Sequence, residues 1–193
     1  MQKLTRDDLY SLEKYSAIRK DFRAEVMAHK KPRRIAIGAH ANLYFEDRMT
    51  MQYQIQEMLR IERIFEAEAI QEELDAYNPL IPDGSNWKAT FMIEYGDPEV
   101  RKVELAKLIG IEQAVWVQID GFDRVTPISN EDLERTTEEK TSSVHFMRIE
   151  LSPAMASAAK AGAAIRMGID HPNYQGDVIL SDDSRHSLVS DLE

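Results

Sequence analysis

The chain has 193 residues, 43% of them hydrophobic and 30% charged, which suits one compact domain with a sizeable core and argues against disorder. Its formal charge of −10 and pI of about 5.0 repel nucleic acid and anionic lipid over the surface as a whole. The absence of cysteine excludes disulfides, zinc–thiolate sites, thiol nucleophiles and any cysteine-ligated iron–sulfur cluster held by this chain alone.

The polar start MQKLTRDDLY does not read as a signal peptide, and no apolar run reaches the ~18–20 residues of a membrane span, so a soluble cytoplasmic protein is the expectation. Thr5 and Asp8 form a weak capping box, and helix is expected from Arg6 until Pro32 stops it, with a break near Lys14–Ser16. The basic run Lys30, Lys31, Arg33 and Arg34 reads as a solvated turn rather than a phosphate site.

RIAIG and ANLYFE, from Arg34 to Gly38 and from Ala41 to Glu46, read as a hairpin. A long amphipathic helix follows from Asp47 to about Glu66, with Met51, Ile55, Met58, Leu59, Ile61 and Phe65 at three-to-four spacing. A short helix then runs to Tyr77, where Asn78-Pro79 ends it. Lys88 to Tyr95 is a strand, and Asp97-Pro98 opens a helix that Gly110 closes.

Asp120-Gly121 predicts a hairpin between Ala114–Ile119 and Phe122–Ile128, and the Ser-Asn-Glu-Asp run from Ser129 predicts a short acidic helix. Ser143 to Leu151 is a long strand. Ser152-Pro153 starts an alanine-rich helix that stops at Gly162. Ala163 to Ile169 is a strand, which the chain leaves at Asp170-His171-Pro172. Residues 1–180 are therefore expected to form a single α+β domain: a mainly antiparallel sheet, a long amphipathic helix and several shorter ones. The polar tail 181–193 is expected to fray or to order only against a partner.

Motifs for phosphate binding (GxGxxG, GxxxxGK), for a serine nucleophile elbow (GxSxG) and for zinc proteases (HExxH) are all missing. Glu57-x-x-Arg60 puts an arginine where a di-iron helix needs a histidine, and arginine does not ligate. A pooled set of oxygen and nitrogen donors remains as metal candidates: His40, Glu46, His145, Asp170 and His171, suited to iron, zinc or manganese. For His40 the plainer reading is a surface turn residue, for His145 a packed strand residue, and for Asp170-His171 a turn shaped with Pro172. Tyr53, Glu57 and Arg60 share a stripe of the long helix and mark a pocket or an interface. The acidic run Glu66, Glu68, Glu72, Glu73 and Asp75 reads as a solvated face, with a docking surface as the functional version.

The fragments LTRDDL, LYFEDRMTMQYQIQEMLRIERIF, EELDAYNPLIPDGSNWKATFMIEY, LIGIE, EEKTSSVHFMRIEL and GIDHPNY together resemble a bacterial family known only as a domain of unknown function. The likeness runs to about Tyr174 and is most specific from Tyr44 to Tyr95. Members of that family tend to be encoded beside rubrerythrin-like and iron–sulfur oxidoreductase proteins. The resemblance thus implies a place in a redox or peroxide-stress system, with such a protein as partner, and it supplies no catalytic residues. Without cysteine the chain would not carry a cluster itself, so an accessory, partner-binding role fits better than an electron carrier. The alternatives are a metal-binding protein or enzyme with a His/Asp/Glu site at strand ends, and a small-ligand sensor using Tyr53, Glu57 and Arg60. Apolar positions over more than one stripe of the long helix, from Met51 to Ile70, suggest a homodimer.

Overall fold

In the computed structural model, which describes residues 2–137 and 139–193, the chain is an α+β domain built on two antiparallel sheets. A 3-10 turn at Arg6–Asp8 precedes helix α1 (Leu12–Lys30), which Ser11 caps by accepting from the N–H of Lys14. The hairpin β1 (Arg34–Ile37) and β2 (Ala41–Glu46) leads into α2 (Arg48–Glu62) and α3 (Ala67–Tyr77). Next come β3 (Asn86–Ile93), α4 (Pro98–Lys107), β4 (Val115–Ile119), the short β5 (Ile128–Ser129) and β6 (Val144–Glu150). Helix α5 (Pro153–Lys160), the hairpin β7 (Ile165–His171) and β8 (Tyr174–Ile179), and α6 (Asp182–Val189) complete the chain.

The larger sheet has the order β1-β2-β3-β6-β5 and the smaller β4-β7-β8. Strand alternation sends Ile35, Leu43, Phe91 and Met147 to one face of the larger sheet, where they share a core with Val117, Met167 and Ile169 of the smaller. The opposite face is mixed in character, carrying Tyr44, Glu46, Lys88, Thr90 and Phe146. The α1–α3 layer over it has its own small core of Leu4, Met51, Ile55, Leu59, Leu74 and Ile81. The helices pack on one another through this core and cover the sheet face only in part.

Several expected elements take another form. The first helix begins at Leu12 rather than Arg6, because Ser11 is the effective cap. The long helix stops at Glu62, where Arg63 enters the left-handed region at φ 56°. Phe122–Ile128 does not form the expected hairpin arm. Against β4 it contributes a single bridge, Val117 to Val125, and its last residue, Ile128, joins β5, while β4 pairs along its length with β7. The acidic helix from Ser129 is replaced by β5 and irregular backbone, since Asn130 adopts φ 57° and its N–H closes on the carbonyl of Phe146 at 2.9 Å. Strand β8, absent from the sequence reading, pairs His171 with Tyr174 across Pro172-Asn173, so Pro172 turns the chain back into the sheet instead of leading it away.

The tail expected to fray is folded. Leu188 is fully buried and Leu192 nearly so. The Trp87 indole N–H donates to the Leu188 carbonyl at 2.8 Å, and the N–H of Glu193 donates to the Gly84 carbonyl at 2.9 Å. Arg33, read from sequence as part of a solvated turn, is 1% exposed. It forks onto Asp191 through Nη2–Oδ2 at 2.5 Å and Nη1–Oδ1 at 3.3 Å. Burial pushes the Asp191 carboxyl up to about 6, against the opposing pull of Arg33. Few apolar footholds therefore suffice for the tail, because a buried ion pair and backbone bonds fix it.

Candidate functional site

The site grows from two irregular segments. Past α4, Gly110 at φ 84° tips the chain into a 3-10 turn, Ile111–Gln113, which turns Glu112 inward until it is 4% exposed. Facing it, β5 and the segment after it are held in place by side-chain and backbone bonds. Ser129 Oγ donates to the Glu112 carbonyl at 3.3 Å, and the N–H of Thr141 donates to the Leu105 carbonyl at 3.2 Å. Arg135 pairs with Asp132 at 2.5 Å and lays its guanidinium over the Phe146 ring, 4.6 Å from the centroid. Between these segments lies a cleft of about 1190 Å³, whose wall includes Glu112, Asn130 and Thr136.

Behind the wall sits a connected polar network. Thr136 Oγ1 donates to Glu112 Oε1 at 3.0 Å, and Thr141 Oγ1 lies 3.5 Å from Glu112 Oε2. Thr141 Oγ1 is also 3.0 Å from Nε2 of His145, a fully buried side chain at the end of the inward row of β6. The His145 tautomer follows from its partners. The Ser142 carbonyl, 3.0 Å from Nε2, can only accept, so Nε2 carries the proton. Nδ1 is then the acceptor, and the Asn130 amide Nδ2 donates to it at 3.0 Å. Burial holds the imidazole pKa below its usual value, with the nearby Glu112 charge partly offsetting this, so the ring is neutral near pH 7. With its amide nitrogen committed to His145, Asn130 keeps Oδ1 buried without a hydrogen-bond partner.

The other candidates read from sequence lie in separate settings. His40 stacks on Tyr95 with ring centroids 4.1 Å apart, and its Nδ1 is 3.0 Å from the Glu94 carbonyl. Glu46 is 7% exposed on the outer sheet face and accepts from Thr90 Oγ1 at 2.9 Å. Asp170 and His171 point apart: Asp170 pairs with Arg124 at 2.5 Å, while His171 lies 3.1 Å from the Ile109 carbonyl through Nε2 and accepts the Asn173 N–H through Nδ1. Among the described residues, no three histidine, aspartate or glutamate side chains gather in a way that could hold a metal ion. The pooled set His40, Glu46, His145, Asp170 and His171 is thus dispersed, because strand alternation and separate loops carry its members to different faces.

Tyr53, Glu57 and Arg60 do not make a common pocket either. Tyr53 is buried against Phe22 at a ring separation of 6.1 Å. Glu57 is clamped by Arg19, with Nε–Oε1 and Nη2–Oε2 both 2.7 Å, and by the Tyr15 hydroxyl at 2.6 Å. The Arg19 hydrogen bonds, helped by the one from Tyr15, outweigh burial and hold the Glu57 carboxyl down to about 2. Arg60 instead lines a shallow basic hollow with Arg19, Lys20 and Arg23. The acidic run on α3 is solvated, with Glu66, Glu68, Glu72 and Asp75 exposed.

Glu112, Asn130, Thr136 and Thr141 were not singled out by sequence reasoning. No local spacing joins them, since they meet only through tertiary folding. The one available signal was their presence, in part, within the fragments LIGIE and EEKTSSVHFMRIEL that carried the resemblance.

No curated protein matches the chain. A crystal structure at 1.90 Å resolution, described as a novel protein of unknown function from Burkholderia pseudomallei K96243, is 50% identical over 100% of both chains and superposes with a TM-score of 0.94. No helix among the described residues is long and apolar enough to cross a membrane. The family model described as "Protein of unknown function (DUF3501)" matches residues 3–192, and the chain belongs to that family.

Proposed function

We propose that the protein is a small-molecule binding protein whose cleft, walled by Glu112, Asn130 and Thr136, takes a polar ligand rich in hydrogen-bond donors. The observation that carries this reading is the buried acceptor pair on the wall. Glu112 keeps spare lone pairs after its threonine bonds, and Asn130 Oδ1 has no partner. An unsatisfied buried acceptor costs about 1–3 kcal/mol, which a donor from a bound molecule recovers.

Charge selects the ligand further. Glu131, Asp132 and Glu134 also line the cleft, and Arg135 is its only cation among the described residues, already paired with Asp132. Glu131 is held by Arg148 at 2.7 Å, which leaves Glu112 and Glu134 to favour a cationic ligand. His145 is sealed and both its nitrogens are engaged, so the imidazole does not face the cleft as a general base, and the reading argued from the wall is recognition. The redox-partner reading rests on the resemblance alone, and neither the family description nor the Burkholderia structure names an activity.

The test is calorimetric titration with putrescine and spermidine as cationic probes and glucose as the neutral one. The reading expects saturable binding of a diamine or triamine, weakened at least tenfold by Glu112→Gln. Equal binding by wild type and Glu112→Gln would reject it.

A further inference from the structure

The outer face of the larger sheet is incompletely covered. Register places Glu46, Thr90 and Phe146 on this face, along with Met92 and Val144. The N-terminal end of α2 and the Tyr77–Leu80 turn roof it without filling the space, leaving a pocket of about 470 Å³. Its walls are largely apolar: Met51, Tyr77, Leu80, Met92, Val144 and Phe146. An adjoining hollow of about 530 Å³ shares Tyr77, Leu80 and Phe146, so the apolar lining continues along the sheet. Both volumes fall in the ~300–1,000 Å³ range of small-molecule sites.

Among the polar side chains of the lining, which include Lys30, Gln54 and Thr90, Glu46 carries a buried oxygen without a partner. Glu46 is 7% exposed, its Oε1 accepts from Thr90, and its Oε2 is buried with no hydrogen-bond partner. An ionised carboxylate offers about four acceptor positions, and a buried oxygen left with none filled is costly. Lys30 lines the same pocket but makes no ion pair with Glu46. The missing donor is best supplied by a molecule with an apolar body and one charged nitrogen. A protonated amine is favoured over an alcohol, because a charge-assisted bond to a carboxylate is roughly twice as strong as a neutral one.

We infer that this pocket is a second ligand site, distinct from the Glu112 cleft, that binds a small amphipathic amine through Glu46. The amine docks its nitrogen on Oε2 and lays its hydrocarbon against Met51, Met92 and Phe146.

The experiment uses full-length protein labelled at the methionine methyls, titrated with hexylamine and, separately, hexanol. Hexylamine is expected to shift the Met51 and Met92 methyl signals saturably and to bind at least tenfold more tightly than hexanol. Glu46→Gln is expected to remove that preference while leaving the remaining methyl spectrum native. Met92→Trp, which fills the pocket and keeps the carboxylate, is expected to abolish binding, and Glu112→Gln to leave it unchanged. The inference is overturned if hexanol binds as well as hexylamine, if Glu46→Gln binds the amine as wild type does, or if neither methyl responds.

Discussion

The Asn130 side-chain amide donates to Nδ1 of His145 across 3.0 Å: the Ser142 carbonyl at Nε2 sets the tautomer, and the bond to Nδ1 then sets the orientation of the asparagine. The left-handed backbone at Asn130 makes the bond possible by turning the side chain back over the end of β6. Asparagine tolerates that region better than most residues.

Replacing Asn130 with aspartate puts an acceptor where Nδ1 needs a donor. The His145 pKa, held low in the native protein, is expected to rise in Asn130→Asp. The sign for stability follows: a histidine with a depressed folded value favours the fold fully above the unfolded pKa of about 6.5, and loses that contribution as pH falls below it. Urea midpoints measured from pH 7.5 to 5 should therefore fall in wild type and fall less in Asn130→Asp. Parallel curves would contradict the tautomer assigned to His145.

Glu57 supplies the opposite pH window. Its folded value near 2 lies below the ordinary 4.5, so its contribution is present above pH 4.5 and is lost as pH falls toward 2. Glu57→Gln is expected to lower the Tm by a few degrees at pH 7 and to flatten the acid limb between pH 4.5 and 2. A full pH series of thermal scans reads both effects, and an unchanged acid limb would remove the clamp between α1 and α2 from the account.

The Tyr174 hydroxyl joins the two sheets. It accepts the N–H groups of His40 and Ala41, each at 3.0 Å, and donates to the Ile37 carbonyl at 2.6 Å. Gly38 sits at φ 72°, and a Cβ there would stand 2.8 Å from this hydroxyl. Tyr174→Phe is expected to cost about 1–3 kcal/mol by stranding these backbone groups. Gly38→Ala should cost a similar amount from strain and close contact. Chemical denaturation checks both, and a change under about 0.5 kcal/mol for either would show that the junction relaxes freely.

At the C-terminus, Arg33 neutralises buried Asp191 and lies 3.4 Å from Asp47. Burial disfavours the Asp47 charge, but Arg33, the Thr50 N–H and His29 outweigh it and keep that carboxyl below its usual value. Removing the cation in Arg33→Met strands the Asp191 carboxylate and leaves Asp47 to Thr50 and His29, and a loss of about 3–5 kcal/mol is expected. Asp191, raised to about 6, favours the fold below pH 3.8 and loses that contribution as pH rises to 6. Asp191→Asn should abolish this component of the pH profile, and an unaltered slope between pH 4 and 6 would contradict the burial cause.

Most of the architecture was legible in local chemistry. Asp97-Pro98 and Ser152-Pro153 opened α4 and α5 as caps with proline behind them, and the ANLYFE and SVHFMRIEL runs became β2 and β6. Misreadings fell where tertiary pairing overrode a local signal. Asp120-Gly121 makes its turn, but β4 found a better partner in β7, and Pro172 served a hairpin. Arg33 gave no sign of burial because its partner Asp191 lies at the far end of the chain. The cleft was the least legible feature: His145 was visible as a strand histidine, whereas Glu112, Asn130 and Thr141 are brought to it from a turn, a strand end and a loop.

The most direct test of the cleft is a crystal structure of the protein soaked with putrescine. The account predicts ligand nitrogen within hydrogen-bonding distance of a Glu112 carboxylate oxygen and of Asn130 Oδ1, with His145 unmoved behind them. Diamine found only at other surfaces, with the Glu112 carboxylate still bonded to Thr136 and Thr141 and to no ligand, would contradict it.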